Sequence, residues 1–359
     1  MAQGNLENFI ADVMGDGHLR VEQDFGGGFV RLKTSEAERR QAVQDIRSSE
    51  DILIEVLRNS RDAGASCIFV ATSKEGSRRC LQVIDDGAGI PAAMHQRVFE
   101  PRVTSKLESA HLDKWGMHGR GMALYSIAVN SQLAEITASE PGMGASLRVL
   151  TDTATLGEKA DQSSFPVFEK QENGSYSMRG PKNLLRTAAE FALEHRGQVE
   201  VYLGSPAEVC ATLYAYGLVA VAPSDRAFGC SDDRPYVERL GFCADASDFA
   251  QVAASLGLEV SERTARRVMD GEVPPLPSLL VRLQSEGFAP KEKRASSRAP
   301  RGDGRRLKLE AEDLAMLAQK AQEAYRELAP RYFLNEEVEP SVVYGPQAIT
   351  ITIPIEKML

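Results

Sequence analysis

Three polar residues raise the question of chemistry: Glu55, Asn59 and Asp62, in the stretch EVLRNSRDAGA. Their i, i+4, i+7 spacing puts the side chains on one face of a helix, two turns deep. That face would ordinarily be apolar and pack a sheet. Here it holds two carboxylates and an amide, which are costly to bury without partners or a task. An Asn oxygen suits Mg²⁺, a hard cation that prefers oxygen ligands and keeps several waters. A Glu one turn earlier can polarise a water aimed at a phosphate. Taken alone, the same spacing also describes a solvated polar stripe.

A second group follows about 25 residues later, where VIDDGAGI ends a β-branched run in Asp85-Asp86-Gly87-Ala88-Gly89. An acid at a strand end can accept the exocyclic amine of adenine, and glycines let backbone approach the ring. In isolation this is an ordinary Asp-Gly turn. The third group, WGMHGRGMALYSIA, sets Gly116, Gly119 and Gly121 ahead of an apolar helix. Such glycines expose backbone N–H groups and a helix N-terminus adds partial positive charge, so the loop can hold phosphates. Arg120 or Lys114 would add charge-assisted contacts. The loop lacks GxxxxGK[ST], and it follows no strand in the dinucleotide-binding manner.

In order and spacing, the three groups resemble the GHKL ATPases (gyrase, heat-shock chaperone, histidine kinase, MutL): an ExxxNxxDA helix, a DxGxG strand end and a GxxGxG lid loop, over residues 48–150. The first box, with Arg58 as a departure, looks most like MutL, as does RVTSK (Arg102–Lys106). The lid is more like that of heat-shock chaperones and the B subunit of topoisomerase VI. The resemblance implies ATP and Mg²⁺ as ligands, with Glu55 as general base and Asn59 as the Mg²⁺ ligand. Asp85 would bind adenine, in a pocket shaped by Gly87, Gly89 and Ile90, with Asp62 and Thr137 also near the nucleotide. Gly116, Gly119, Arg120 and Gly121 would contact phosphates, and Lys106 would help to order the lid.

Positioning these residues requires a particular set of elements. LRVEQDFGGGFVRL (19–32) alternates and carries three glycines, the pattern of a β-hairpin. Thr34 or Ser35 opens a helix to about Ile46, with Glu38 completing a capping box. Ser48 to Asp51 starts the helix of the first box, and Gly64 ends it. Strands at about 67–72 and 80–85, a helix at 120–130 and strands at 133–138 and 145–150 follow. The resulting fold class is α+β: a Bergerat-type ATP-binding sandwich, with helices on one face of a mixed sheet, followed by a mixed α/β and helical C-terminal region.

The divisions expected are 1–155 for the ATP-binding domain with its N-terminal hairpin, then 156–245 as a mixed α/β region. Residues 246–290 read as a helical division, with 246–286 helical throughout, 291–309 as a basic loop, and 310–359 as a helix and hairpin. Within 246–290, DFAQVAASLGLEVSERTARRVMDGEVPP has the look of a helix-turn-helix, with Ser261 capping a second helix that bears Thr264, Arg266, Arg267 and Val268. The turn is longer than usual, and a helical hairpin packed as core reads equally well. Residues 291–308 hold eight basic side chains against two acidic ones, suited to a phosphate backbone without sequence preference or to a solvated loop.

A net charge of −9 argues against a uniformly basic nucleic-acid binder but leaves room for a local basic patch. The five cysteines form no CxxC pair and read as reduced thiols in a cytoplasmic protein. No secretory signal and no membrane span are visible. A self-phosphorylating kinase is disfavoured: upstream of residue 50 the only histidine is His18, in a glycine-flanked loop.

The expected function is a slow ATP hydrolase, an ATP-gated homodimeric clamp acting on duplex DNA through Arg266, Arg267 and 291–308. A separate catalytic subunit would be needed for any DNA cleavage. The alternatives are a chaperone-like or regulatory ATPase with a protein client, or a histidine-kinase-like ATP-binding protein without autophosphorylation.

Overall fold

The computed structural model describes residues 21–105, 111–113, 116–118, 121–170, 176–222, 231–287, 311–332, 334–335, 337–344 and 349–354. Lys106, Lys114, Gly119, Arg120 and the basic run 291–308 lie outside them. The chain forms two compact units, Met1–Phe288 and Ala289–Leu359.

The first unit begins with the hairpin β1 (Val21–Gly26) and β2 (Phe29–Leu32), then α1 (Glu36–Asp45), α2 (Ser49–Asp62), β3 (Cys67–Glu75) and β4 (Arg78–Asp85). Next come β5 (Val103–Thr104), β6 (His111–Asp113), β7 (Gly116–His118), α3 (Ala123–Asn130), β8 (Leu133–Ser139) and β9 (Ala145–Asp152). The remainder is β10 (Val167–Lys170), β11 (Tyr176–Arg179), α4 (Leu184–Glu194), β12 (Glu200–Gly204), α5 (Pro206–Ala220), α6 (Ala246–Ser255), α7 (Glu262–Met269) and α8 (Leu279–Gly287). The second unit holds α9 (Ala311–Leu328) and the hairpin of β13 (Ser341–Tyr344) and β14 (Ile349–Thr352).

A mixed sheet of order β12-β3-β4-β9-β8 is the frame, antiparallel except for β12, which pairs parallel with β3. Strand alternation sends its side chains to two faces. On one, Leu81, Val83, Leu147 and Val149 pack against Ile52, Leu53 and Leu57 of α2, Ile127 of α3 and Phe191 of α4. The helices of the first box and of the lid region thus share one face, as the pattern required. On the other face, Phe69, Ala71 and Ile84 meet Val209 and Leu213 of α5, Phe249 of α6, and Ala265 and Val268 of α7. The boundary expected at 155 falls within this frame, because residues 200–204 supply an edge strand.

Local chemistry explains the ends of the key helices. In α1 the Ser35 amide donates to Glu38 Oε2 at 2.8 Å and the Glu38 amide donates to Ser35 Oγ at 3.3 Å, the expected capping box. In α2 the Asp51 amide donates to Ser48 Oγ, Glu50 and Asp51 fill the first turn, and Arg61 sits in the last. The expectation of continuous helix over 246–286 is corrected: residues 256–261 and 270–278 are not helical, the second break being the proline-rich one. Pro274, Pro275 and Pro277 lie there, and proline lacks the N–H that an i−4 bond needs. Among the described residues Cys67, Cys80, Cys210 and Cys243 are free, and burial pushes the Cys210 and Cys243 thiols up to about 12.

Candidate nucleotide site

Asp85 closes β4 and is directly in register with Ile68 on β3 and Ala145 on β9, and Ala145 in turn with Ser139 on β8. Side chains paired in this way share a face, so Asp85 and Ser139 both point to the side covered by α2 and α3. Asp85 is 7% exposed. Its Oδ2 accepts from the Ser60 hydroxyl at 2.7 Å and its Oδ1 from the Gly87 amide at 3.0 Å. Burial raises its pKa, against the lowering effect of those two bonds.

The neighbouring Asp86 has a different job. Its Oδ1 accepts the amides of Ser66 and Cys67 at 2.8 Å each, and the Ser66 hydroxyl also donates to it, so it fastens the turn from α2 into β3. The loop that follows is held by backbone: the Ala88 amide donates to the Ala63 carbonyl and the Gly142 amide to that of Ala88. Gly89 has φ +72°, and a Cβ there would sit 1.9 Å from the Glu140 carbonyl oxygen, so no other residue fits. The Ile90 amide donates to Ser139 Oγ at 2.7 Å, and Ser139 Oγ donates to the Gly144 carbonyl at 2.9 Å. His95 Nε2 lies 3.1 and 3.0 Å from the carbonyls of Ile90 and Ser139, so that nitrogen carries the ring hydrogen. Asp85, Gly87, Gly89 and Ile90 are thereby one rigid corner beside the end of α2.

On α2 the sheet-packing face is Ile52, Leu53, Val56, Leu57 and Ser60, all buried. Glu55, Asn59 and Asp62 are half-buried and line the margin of that face; they do not form it. Glu55 is ion-paired with Arg58 on the same helix. Asn59 Nδ2 is buried without a hydrogen-bond partner among the described residues. Asp62 Oδ1 accepts from Arg61 Nε and Nη2 at 2.9 and 2.6 Å, and Arg61 Nη1 is 3.0 Å from His195 Nε2, just past α4.

Two expected residues are placed differently. Thr137 occupies a β-bulge between Ile136 and Ala138, where its hydroxyl accepts from Gln82 Nε2 and donates to the Ser146 carbonyl, both at 3.1 Å. Gln82 and Ser146 belong to the opposite face: Ser146 Oγ donates to the Leu256 carbonyl below α6, and a Cβ on Gly257 would lie 2.4 Å from Gln82 Oε1. The structure does not bring Thr137 together with Asp85; Ser139 stands there instead. Gly116 lies in β7, opposite Asp113 of β6, and does not sit directly before α3. Gly121 packs on Val103 and Thr104. The α3 N-cap, Met122, makes no side-chain cap bond, so its first amides are not taken by a cap.

Sequence reasoning missed Ser60 and Ser139. Ser60 was readable, since it sits next to Asn59 and faces the sheet at the i+4 position from Val56. Ser139 was hidden by the bulge, which reverses the alternation counted along β8. The segment before the lid is anchored by Arg102, buried with φ 58° and ion-paired to Glu38, while its carbonyl accepts the Leu32 amide at 3.0 Å. Burial alone would raise the Glu38 carboxyl, but its bonds from Ser35 and Arg102 hold it below the ordinary value.

Residues 44–155 match the family described as histidine kinase-, DNA gyrase B-, and HSP90-like ATPase. This part of the chain is similar to the ATPase domains of the GHKL type. Among curated proteins, the DNA mismatch repair protein MutL of Gemmatimonas aurantiaca is 31% identical over 66% of this chain and 42% of its own length. The protein of the same name from Leptospira biflexa is 32% identical over 45% of this chain and 26% of its own. The chain thus spans less than half the length of these relatives. A solved N-terminal domain of a DNA repair protein is 16% identical over 43% of this chain and 59% of that one, with a TM-score of 0.26. No helix among the described residues is long and apolar enough to cross a membrane.

Proposed function

We propose that this chain is a slow ATP hydrolase that works as an ATP-gated, homodimeric clamp on duplex DNA. The observation that carries the nucleotide part is Asp85, a buried carboxylate fixed by Ser60 and Gly87 at the mouth of a glycine corner. Its remaining lone pairs are suited to an exocyclic amine, which selects adenine over guanine, whose carbonyl at that position cannot donate. Glu55 takes a proton from the attacking water. Asn59, half-buried one turn from Glu55 on the same margin of α2, carries an amide oxygen of the kind that Mg²⁺ takes as a ligand. The ion, when bound, would neutralise phosphate charge. The uncapped amides of α3 suit the phosphates.

The DNA part rests on the name shared by the relatives, DNA mismatch repair protein, and on α7. Ala265 and Val268 anchor α7 to the back of the sheet, and Arg266 and Arg267 are exposed. Arg267 also pairs with Glu272 at 2.9 Å. The same packing favours a second reading, in which α6 and α7 are a docking surface for a protein client. ATP turnover measured with and without duplex DNA tests the proposal: stimulation by DNA supports the clamp, and indifference to DNA moves the weight to the protein client.

A further inference from the structure

Arg58 stands where the first box departs from the pattern of the family it resembles, and it is 3% exposed. A guanidinium is rarely buried on a helix unless it is paired or has a task. Its ion pair is with Glu55, three residues earlier on the same helix face, whose side chain is 19% exposed. The stem of Arg58 is enclosed and its planar fork has few orientations, so it restricts where the less buried Glu55 carboxylate rests. Asn59 follows immediately, with its Nδ2 buried and unpartnered.

We infer that Arg58 is a positioning residue for the hydrolytic reaction: it acts through Glu55, fixing the carboxylate that activates water, and does not itself hold the nucleotide. The inference rests on the reading of Glu55 as general base given above. Orientation of a catalytic group is worth large factors in rate, and a misplacement of about 1 Å can cost about 100-fold. Binding of ATP depends on other groups, the Asp85 corner above all, so it should be spared.

A double-mutant cycle on the full chain separates the possibilities. Arg58→Met should lower kcat by roughly 10- to 100-fold and leave KM for ATP within about threefold. Arg58→Lys, which keeps the charge but not the planar fork, should recover only part of the loss. In a Glu55→Gln background, Arg58→Met should cost nothing further in single-turnover hydrolysis, since a residue acting only through Glu55 has nothing left to act on. An equal loss in that background, or a loss confined to KM, overturns the inference. If Glu55→Gln alone hydrolyses at the wild-type rate, the general-base reading fails first and is identified as the cause. Circular dichroism checks the fold of each variant; should Arg58→Met unfold, Arg58→Gln, uncharged but still a donor, completes the same cycle.

Discussion

The Ser60 hydroxyl donates to Asp85 Oδ2 at 2.7 Å, joining the acid proposed to bind adenine to the helix that carries Glu55 and Asn59. The two residues are 25 apart in sequence, so helix and strand end are tied into one site before any nucleotide arrives. Ser60→Ala should leave Asp85 with one fewer donor and weaken ATP binding by roughly 10-fold, about the effect of one hydrogen bond to a charged group. Isothermal titration with a non-hydrolysable analogue checks it, and unchanged affinity would detach Ser60 from the site.

Asp85→Asn should lower ATP affinity by roughly 10- to 100-fold, because the amide no longer accepts strongly from the adenine amine. Wild type should bind GTP poorly, and equal ATP and GTP affinities would remove Asp85 from the base site. The same substitution should raise the melting temperature without nucleotide. Burial raises the folded pKa of Asp85, so the folded state holds the extra proton above the unfolded value. The stability it confers is full below that value and is lost as pH rises through the raised pKa. Thermal melts between about pH 4 and pH 7 should show this decline in wild type and a flatter profile in the variant.

Glu55→Ala should keep ATP binding nearly intact while hydrolysis falls by about 100-fold or more, the scale of a lost general base. Asn59→Ala should instead weaken Mg²⁺-dependent nucleotide binding. Phosphate release and filter binding, measured side by side, separate the two; wild-type turnover in Glu55→Ala would reassign the base.

Two glycines provide an internal control for the corner. Gly89 and Gly142 both have positive φ, but a Cβ at Gly142 meets nothing within 4 Å, whereas at Gly89 it lies 1.9 Å from the Glu140 carbonyl. Gly142→Ala should cost about 1 kcal/mol of backbone strain. Gly89→Ala should cost more than about 3 kcal/mol and abolish ATP binding as the loop shifts. Urea unfolding decides this, and similar midpoints for the two variants would contradict the packing described.

Replacing Arg266 and Arg267 by Glu should weaken duplex binding strongly and lessen its dependence on salt, since fewer phosphate counterions are released. Nucleotide affinity should be retained, because α7 packs on the sheet face away from Asp85. Fluorescence anisotropy of a labelled duplex measures it. Absence of wild-type binding near about 50 mM salt, with nucleotide analogue present, would rule out the DNA reading.

The chemistry of the site was determined by the sequence alone to the extent that it is local. Glu55, Asn59 and Asp62 share a margin of α2 because helical periodicity is a property of the chain, and the capping box of Ser35 and Glu38 formed where it was written. The pattern of helix, strands and glycine loop set the face on which α2 and α3 lie. Only the tertiary structure decided which residues join Asp85. A single extra residue in β8 keeps Thr137 and Ala138 both on the back of the sheet and so brings Ser139 to the front, and bulges depend on strand pairing that no local pattern reveals. Likewise, parallel pairing of β12 with β3 brings a region read as separate into the same five-stranded sheet as β4 and β9, because long-range pairing is set by the burial of both faces. For the same reason α6 and α7, legible as helices, became known as the cover of the sheet's second face only when Leu256 and Gly257 met Ser146 and Gln82.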